Sequence, residues 1–265
     1  MNLILHWHSL NLSILGPAMI AGLLVLATHV PLGIQVLQRS IVFIDLAIAQ
    51  IAGVGVITAD AMGWEPEGLA VQIAAISAAL LGAILLTWTE KRWPAVQEAL
   101  IGVLFVLASC VGILLLAGNP HGGEHLKDLL IGQILWVSAT QLQAMAVLTV
   151  VVLALWFLLA KKLGRVGFYV LFALAVTASV QLVGVYLVFT SLIVPALVTR
   201  HLQGRRRLIA AYALGAFGYA LGLTVSALMD WPTGAVVVLA IAIIGPMMAG
   251  LWQNPTQAII PDKSN

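Results

Sequence analysis

IDLAIAQIAG, residues 44–53, sets one carboxylate and one carboxamide in a stretch whose other residues are apolar or small. The fold turns on where that stretch lies. In lipid, an ionised carboxylate at a helix centre costs at least about 2.5–3.5 kcal/mol, so something must offset Asp45. The surroundings answer the first question. Of 265 residues, 62% are hydrophobic and only 8% are charged, with a mean hydropathy of +1.09. Soluble domains carry about 25% charged residues to coat their surface. This chain cannot do so, and a soluble fold is excluded.

Apolar runs fall near residues 11–30, 41–62, 68–89, 97–117, 128–160, 166–199, 208–229 and 234–252. Runs of about 20 residues span a hydrocarbon core of about 30 Å as helices, which satisfy their own backbone there. Two runs are too long for one span. The 128–160 run accommodates a short re-entrant or interfacial helix before a span from about Gln141 to Ala160, and a break near Gly184 divides 166–199 into two short spans. The expected fold is an all-α polytopic membrane protein of eight or nine helices, nine on this division. No internal repeat stands out and only the carboxyl-terminal tail is polar, so residues 1–265 read as a single integral-membrane domain. With no Lys or Arg before Arg39, the first run is expected to be a permanent span rather than a cleaved signal.

Charge placement gives the orientation. Under this division eleven of the twelve Lys and Arg residues fall on one side, and only Lys127 on the other. Positive residues mark the cytoplasm, which leaves the amino terminus external and the carboxyl terminus cytoplasmic. Asp60, Glu65, Glu67, Glu124, Asp128 and Asp230 gather outside, where they would concentrate cations or simply occupy the side from which bases are excluded. Gly218 and Gly222, extended by Gly215, form a small-residue face for close helix packing.

Enzymatic chemistry finds little support. HGGEH at 121–125 fits the H-x-x-E-H spacing of inverted zinc peptidases, but Asn119, Pro120, Gly122 and Gly123 predict a loop rather than a helix. No glutamate follows Glu124 to complete such a site. His121, Glu124 and His125 remain candidates for a transient external metal contact. His29 reads as a satisfied core histidine. The only cysteine, Cys110, excludes an intrachain disulfide. No phosphate-binding G-x-x-x-x-G-K-[ST] loop occurs, so nucleotide hydrolysis would belong to another subunit. No intrinsic cofactor and no nucleic-acid partner are expected.

That leaves Asp45. Intramembrane carboxylates mark ion or substrate paths, or else pair with a neighbouring base, here Arg39. Asp45 and Gln50 lie about 140° apart around a helix, so they do not share a narrow face. Asp45 aligns better with Ala49 and Ala52, and Gly53 and Gly55 suggest close backbone approach or a local break.

PLGIQVLQRSIVFIDLAIAQIAGVGV (31–56) resembles the second-helix signature of the zinc/manganese-type family of ABC importer permeases. VGVYLVFTSLIVPALVTR (183–200) is similar to that family's V-G-x-x-L-(x)4-L-I-x-P-A-x-x-A-R segment, and GLTVSALMDWPTGAVVVL (222–239) to its final hairpin. TEKRWP matches its cytoplasmic loop in character and position. The resemblance implies a multi-pass permease of the bacterial inner membrane. It implies pairing with a second copy, with cytoplasmic ATPase subunits and with an external solute-binding protein, to import a divalent metal such as zinc, manganese or iron. It assigns Asp45 to the metal path; where the family has a histidine, Ala49 or Gln50 stands, depending on register. It also implies that RHLQGRRR (200–207), with Arg200, Arg205, Arg206 and Arg207, forms a short cytoplasmic helix that docks on the ATPase. A permease for a chelated or cobalamin-like metal complex, and an ATP-independent cation transporter, are the alternatives.

Overall fold

The computed structural model describes residues 11–65, 68–116, 129–159 and 164–252. Among these residues the chain is helical between short turns. The helices are α1 (Leu12–Arg39), α2 (Ile44–Ala61), α3 (Leu69–Arg92), α4 (Gln97–Leu116), α5 (Ala139–Leu159), α6 (Gly164–Val183), α7 (Val185–Val198), α8 (Gly204–Met229) and α9 (Thr233–Trp252). Seven are long and apolar enough to cross a membrane; α7 and the Thr233–Ala249 part of α9 are shorter.

The nine-helix division is found, including the break at Gly184. That residue has φ +82°, a left-handed conformation that costs glycine nothing. The long 128–160 run also divides, with a 3-10 turn at Ile134–Trp136 ahead of α5. The two interruptions meet. Gly132, at φ +72°, lies so close to Gly184 that a Cβ on either would overlap the other's backbone. Gly234, at the start of α9, lies against the Ile131 carbonyl from the other side.

Helix ends are closed by short-range chemistry. Asn11 caps α1 by accepting from the Ser13 N–H at 3.0 Å, and Ser40 ends the same helix in the left-handed conformation. Between α8 and α9, Asp230 turns the chain at φ +53°. Ser226 Oγ donates to the Trp231 carbonyl at 2.7 Å and lies 2.6 Å from the Thr233 hydroxyl.

Burial divides the helices into an inner and an outer set. Two-thirds of the apolar window of α6 is buried (67%), against 22% for the window that contains α4 and 17% for α5. The core brings α1, α7 and α8 together around two tyrosine contacts, one buried and one half-buried. Tyr219 OH and Ser191 Oγ are 2.9 Å apart, and the Tyr212 hydroxyl donates to the Ala27 carbonyl at 3.0 Å. The small-residue face of α8 is used on two sides. Gly218 and Gly222 receive Ile241 and Val237 of α9, whereas Gly215 receives Leu26 of α1.

Space is tight at Gly222, where an added Cβ meets Val237 backbone, and open at Gly102 of α4, where it meets nothing. Gly222→Val is therefore expected to destabilise by about 1–3 kcal/mol through overpacking, seen as a lower melting temperature of the detergent-solubilised protein. Gly102→Ala is expected to leave it unchanged or raise it.

Candidate functional site

One end of the bundle collects the charge that the sequence places on a single side. There α1 and α3 finish with Arg39 and with Lys91 and Arg92, and α2 and α4 begin with Asp45 and Glu98. Each sign suits its helix terminus, since carboxylates are favoured at amino ends and cations at carboxyl ends.

Asp45 lies in the first turn of α2, is 1% exposed, and has no hydrogen-bond partner on either carboxylate oxygen. It does not pair with Arg39. That arginine instead approaches Glu90 at 3.9 Å and sits 4.3 Å over the Phe168 ring. Arg165 reaches the same Glu90 oxygen at 3.8 Å, so one carboxylate of α3 joins α1 and α6. Gln97 extends the contact to α4, donating to the Leu86 carbonyl at 3.1 Å and to the Tyr169 hydroxyl at 3.4 Å. Beside Asp45, the Phe43 N–H donates to Glu98 at 3.3 Å and fixes the start of α2 on α4.

Gln50 is half-buried and lines a cavity of about 460 Å³ with Ser109, Tyr186, Phe189 and Thr190. Asp45 does not line it, so the two polar residues of the opening stretch serve different surroundings, as their angular separation requires. Ala49 is buried with Asp45. Gly55 makes the close approach, to the Ala74 carbonyl of α3, and α2 continues unbroken through it.

The arginine segment divides in the same way. Residues 199–203 form a turn rather than a separate short helix, because Gly204, at φ +56°, starts α8 directly. Arg200 donates to the Leu197 carbonyl and Arg207 to the Ala196 carbonyl, each at 3.2 Å, so both close the end of α7. Arg205 and Arg206 are exposed. His121, Glu124 and His125 lie outside the described residues. Among the described residues no cluster of three or more His, Cys, Asp or Glu forms a metal centre. His29 is fully buried, with Nδ1 2.9 Å from the Val25 carbonyl.

Sequence reasoning missed Glu90 as an organising residue. Its only signal was an acid placed directly before Lys91 and Arg92 in TEKRWP. It also missed Gln181, an amide in the apolar run SVQLVG, which lines a second, more polar cavity at the far end of the bundle.

A profile of the ABC 3 transport family matches residues 11–169 and 162–249. A manganese transport system membrane protein, MntC, from Halalkalibacterium halodurans is 25% identical over 272 residues, covering 95% of this chain and 91% of that one. A probable iron transport system membrane protein from Haemophilus influenzae is 24% identical over 187 residues, covering 63% and 66%. Among solved structures, PsaBC from Streptococcus pneumoniae in complex with Fab superimposes with a TM-score of 0.73 at 22% identity, over 91% of this chain and 92% of that chain. At that identity the likeness carries the fold.

The Glu90 contacts are partly exposed, so the pair is worth at most about 1 kcal/mol. Glu90→Gln is expected to lower the melting temperature by a corresponding few degrees at low salt. The difference should shrink as salt screens the arginines.

Proposed function

The chain belongs to the ABC 3 transport family, and on that premise we propose that it is the permease of an ABC importer for divalent metal ions. It is a multi-pass protein of the bacterial cell membrane and a transport subunit, not an enzyme. The metals named for its relatives, manganese and iron, support a manganese or iron substrate, and zinc is retained from the sequence resemblance alone.

Asp45 carries the reading. A buried carboxylate without a partner is a standing cost that packing does not explain. A passing cation supplies the missing charge. The α2 amino terminus stabilises the carboxylate between transits, since a helix dipole favours an anion there. Gln50 is read as a second path residue, offering a carbonyl oxygen within its cavity. The external HGGEH segment is retained as a transient metal contact through His121, Glu124 and His125.

The basic end faces the cytoplasm in this reading. There Arg205 and Arg206 stand out, because cations in the first turn of α8 oppose its dipole. Arg165 occupies a similar place on α6 but is matched by Glu90. Arg205 and Arg206, exposed and planar, suit carboxylates of an ATPase subunit, which they can bind bidentately. Arg200 and Arg207 hold the segment in place. The absence of a phosphate-binding loop supports a separate ATPase. An external solute-binding protein and a second copy of the permease complete the assembly. The exposed apolar face of α4, with a groove of about 590 Å³ lined by Phe43, Leu46 and Phe105, supports that second copy.

The deciding measurement is metal uptake by the complex reconstituted in liposomes with its ATPase and binding protein. Asp45→Asn is expected to cut uptake by about tenfold, equivalent to ~1.4 kcal/mol on the barrier. Its melting temperature should hold or rise, because an uncompensated buried charge is removed. Uptake at the parental rate would make Asp45 structural. Replacing Arg205 and Arg206 with Glu is expected to leave insertion intact while the ATPase no longer copurifies or no longer drives uptake. Normal coupling in that double variant would remove the pair from the interface.

A further inference from the structure

At the end of the bundle opposite the arginines, a cavity of about 660 Å³ opens among α2, α3, α5, α6 and the Ile134–Trp136 turn. Its lining differs in kind from the other two cavities. The groove at Phe43 is apolar throughout, and the Gln50 cavity holds one amide and three hydroxyl residues among apolar side chains. This one gathers a carboxylate, Asp60, with four carboxamides and two hydroxyls.

These polar groups are not equivalent. Ser138 and Gln141 satisfy each other as a capping box at the start of α5, through Ser138 N–H to Gln141 Oε1 at 2.9 Å and Gln141 N–H to Ser138 Oγ at 3.2 Å. Gln133 and Thr140 lie exposed at the rim. Asp60, Gln72 and Gln181 are half-buried and line the interior. The Gln181 Nε2 is buried without a hydrogen-bond partner. A carboxamide turned by 180° presents its carbonyl oxygen in the same place, so this residue can serve either a water or a cation.

Helix ends of both signs meet here: Asp60 and Gln181 stand in the last turns of α2 and α6, and Gln72 and Gln141 in the first turns of α3 and α5, so Asp60 supplies the formal negative charge among the lining residues. Gly132 forms part of the wall, and its close approach to Gly184 packs the end of α6 beside the cavity.

We propose that this cavity is a selective entry site for a hydrated, hard divalent cation of the manganese or magnesium class, held by Asp60 with Gln72 and Gln181 as oxygen donors. The inference rests on the importer reading above and specifies what that reading leaves open. The interior donors supply oxygen and no imidazole or thiolate, the set that suits hard cations over zinc or copper. One carboxylate with neutral amides binds a cation that keeps most of its water. Such binding is weak, and an entry site must release its ion onward.

The test uses the full complex in lipid nanodiscs, with Cys110→Ser and a nitroxide attached at Met62→Cys. Met62 is 65% exposed and lies two residues beyond Asp60. Manganese chloride alone is added, and paramagnetic broadening of the nitroxide is followed against concentration. A saturable transition is expected, with its midpoint raised about tenfold or more by Asp60→Asn and by Gln181→Leu, and unchanged by Gly102→Ala, where an added Cβ meets nothing. Zinc chloride should compete no better than magnesium chloride. Non-saturating broadening, or an unchanged midpoint in Asp60→Asn, would overturn the site. A shift in Asp60→Asn without one in Gln181→Leu would reduce it to diffuse attraction by one charge and overturn it equally. Gel filtration of each variant confirms the fold, and Asp60→Glu should recover part of the affinity. Because the readout needs no transport, a failure of metal uptake in the parental complex would strike the importer reading and leave the cavity's test standing.

Discussion

Within a bilayer every backbone N–H and C=O must find its partner inside the protein, and this requirement governs the fold more than any side-chain contact. Helices meet it automatically, and the break at Gly184 still does: its N–H reaches the Val180 carbonyl at 2.8 Å and its carbonyl accepts from the Val188 N–H at 3.1 Å, which leaves its packing to be solved. The chain interrupts α6–α7 at Gly184 and the approach to α5 at Gly132, and it lays each break against the other, with Gly234 adjacent. Only residues without a Cβ allow backbone to cover backbone so closely. The polar cavity lies beside that crossing, with Gly132 in its lining, and Gln181 and Gln133 occupy its wall.

Charge is distributed by two rules. The positive-inside bias sends bases to one end, and helix dipoles favour bases at carboxyl termini and acids at amino termini. At Arg39, Lys91 and Arg92 the rules coincide, and Asp45 and Glu98 follow the second. Arg165 violates the second and is matched by Glu90; Arg207 violates it and closes the end of α7 instead. What remains unmatched, Arg205 and Arg206 outside and Asp45 inside, is where interaction with something beyond this chain explains the sequence.

The architecture was legible because hydropathy and helix length are properties of contiguous residues. A run as long as 166–199 cannot be one span, and Gly184 was the residue able to break it. The site was legible only in part. Asp45 announces itself as a charge in an apolar run, and Gln50 as an amide, but their separation into different surroundings depends on which helices pack on each face of α2. The Arg39–Glu90–Arg165 arrangement draws on three helices, and no local pattern tells Arg39 to choose Glu90 over the much nearer Asp45. The separate short helix expected at RHLQGRRR gave way to a turn because Gly204 lets α8 begin at once.

The shortness of α7 bears on how the protein is made. Fourteen residues rise about 21 Å, well below the thickness of the hydrocarbon core. Such a segment is a poor candidate for independent recognition by the insertion machinery, so its insertion leans on the longer α6 that precedes it. The backbone that lies against its cap residue, Gly184, at Ile131 and Gly132, has by then been synthesised, while Gly234 arrives later against Ile131. Chain order thus allows a stepwise assembly at this junction, in which the receiving surface comes first, α6 and α7 seat on it, and the last helix covers the Ile131 carbonyl.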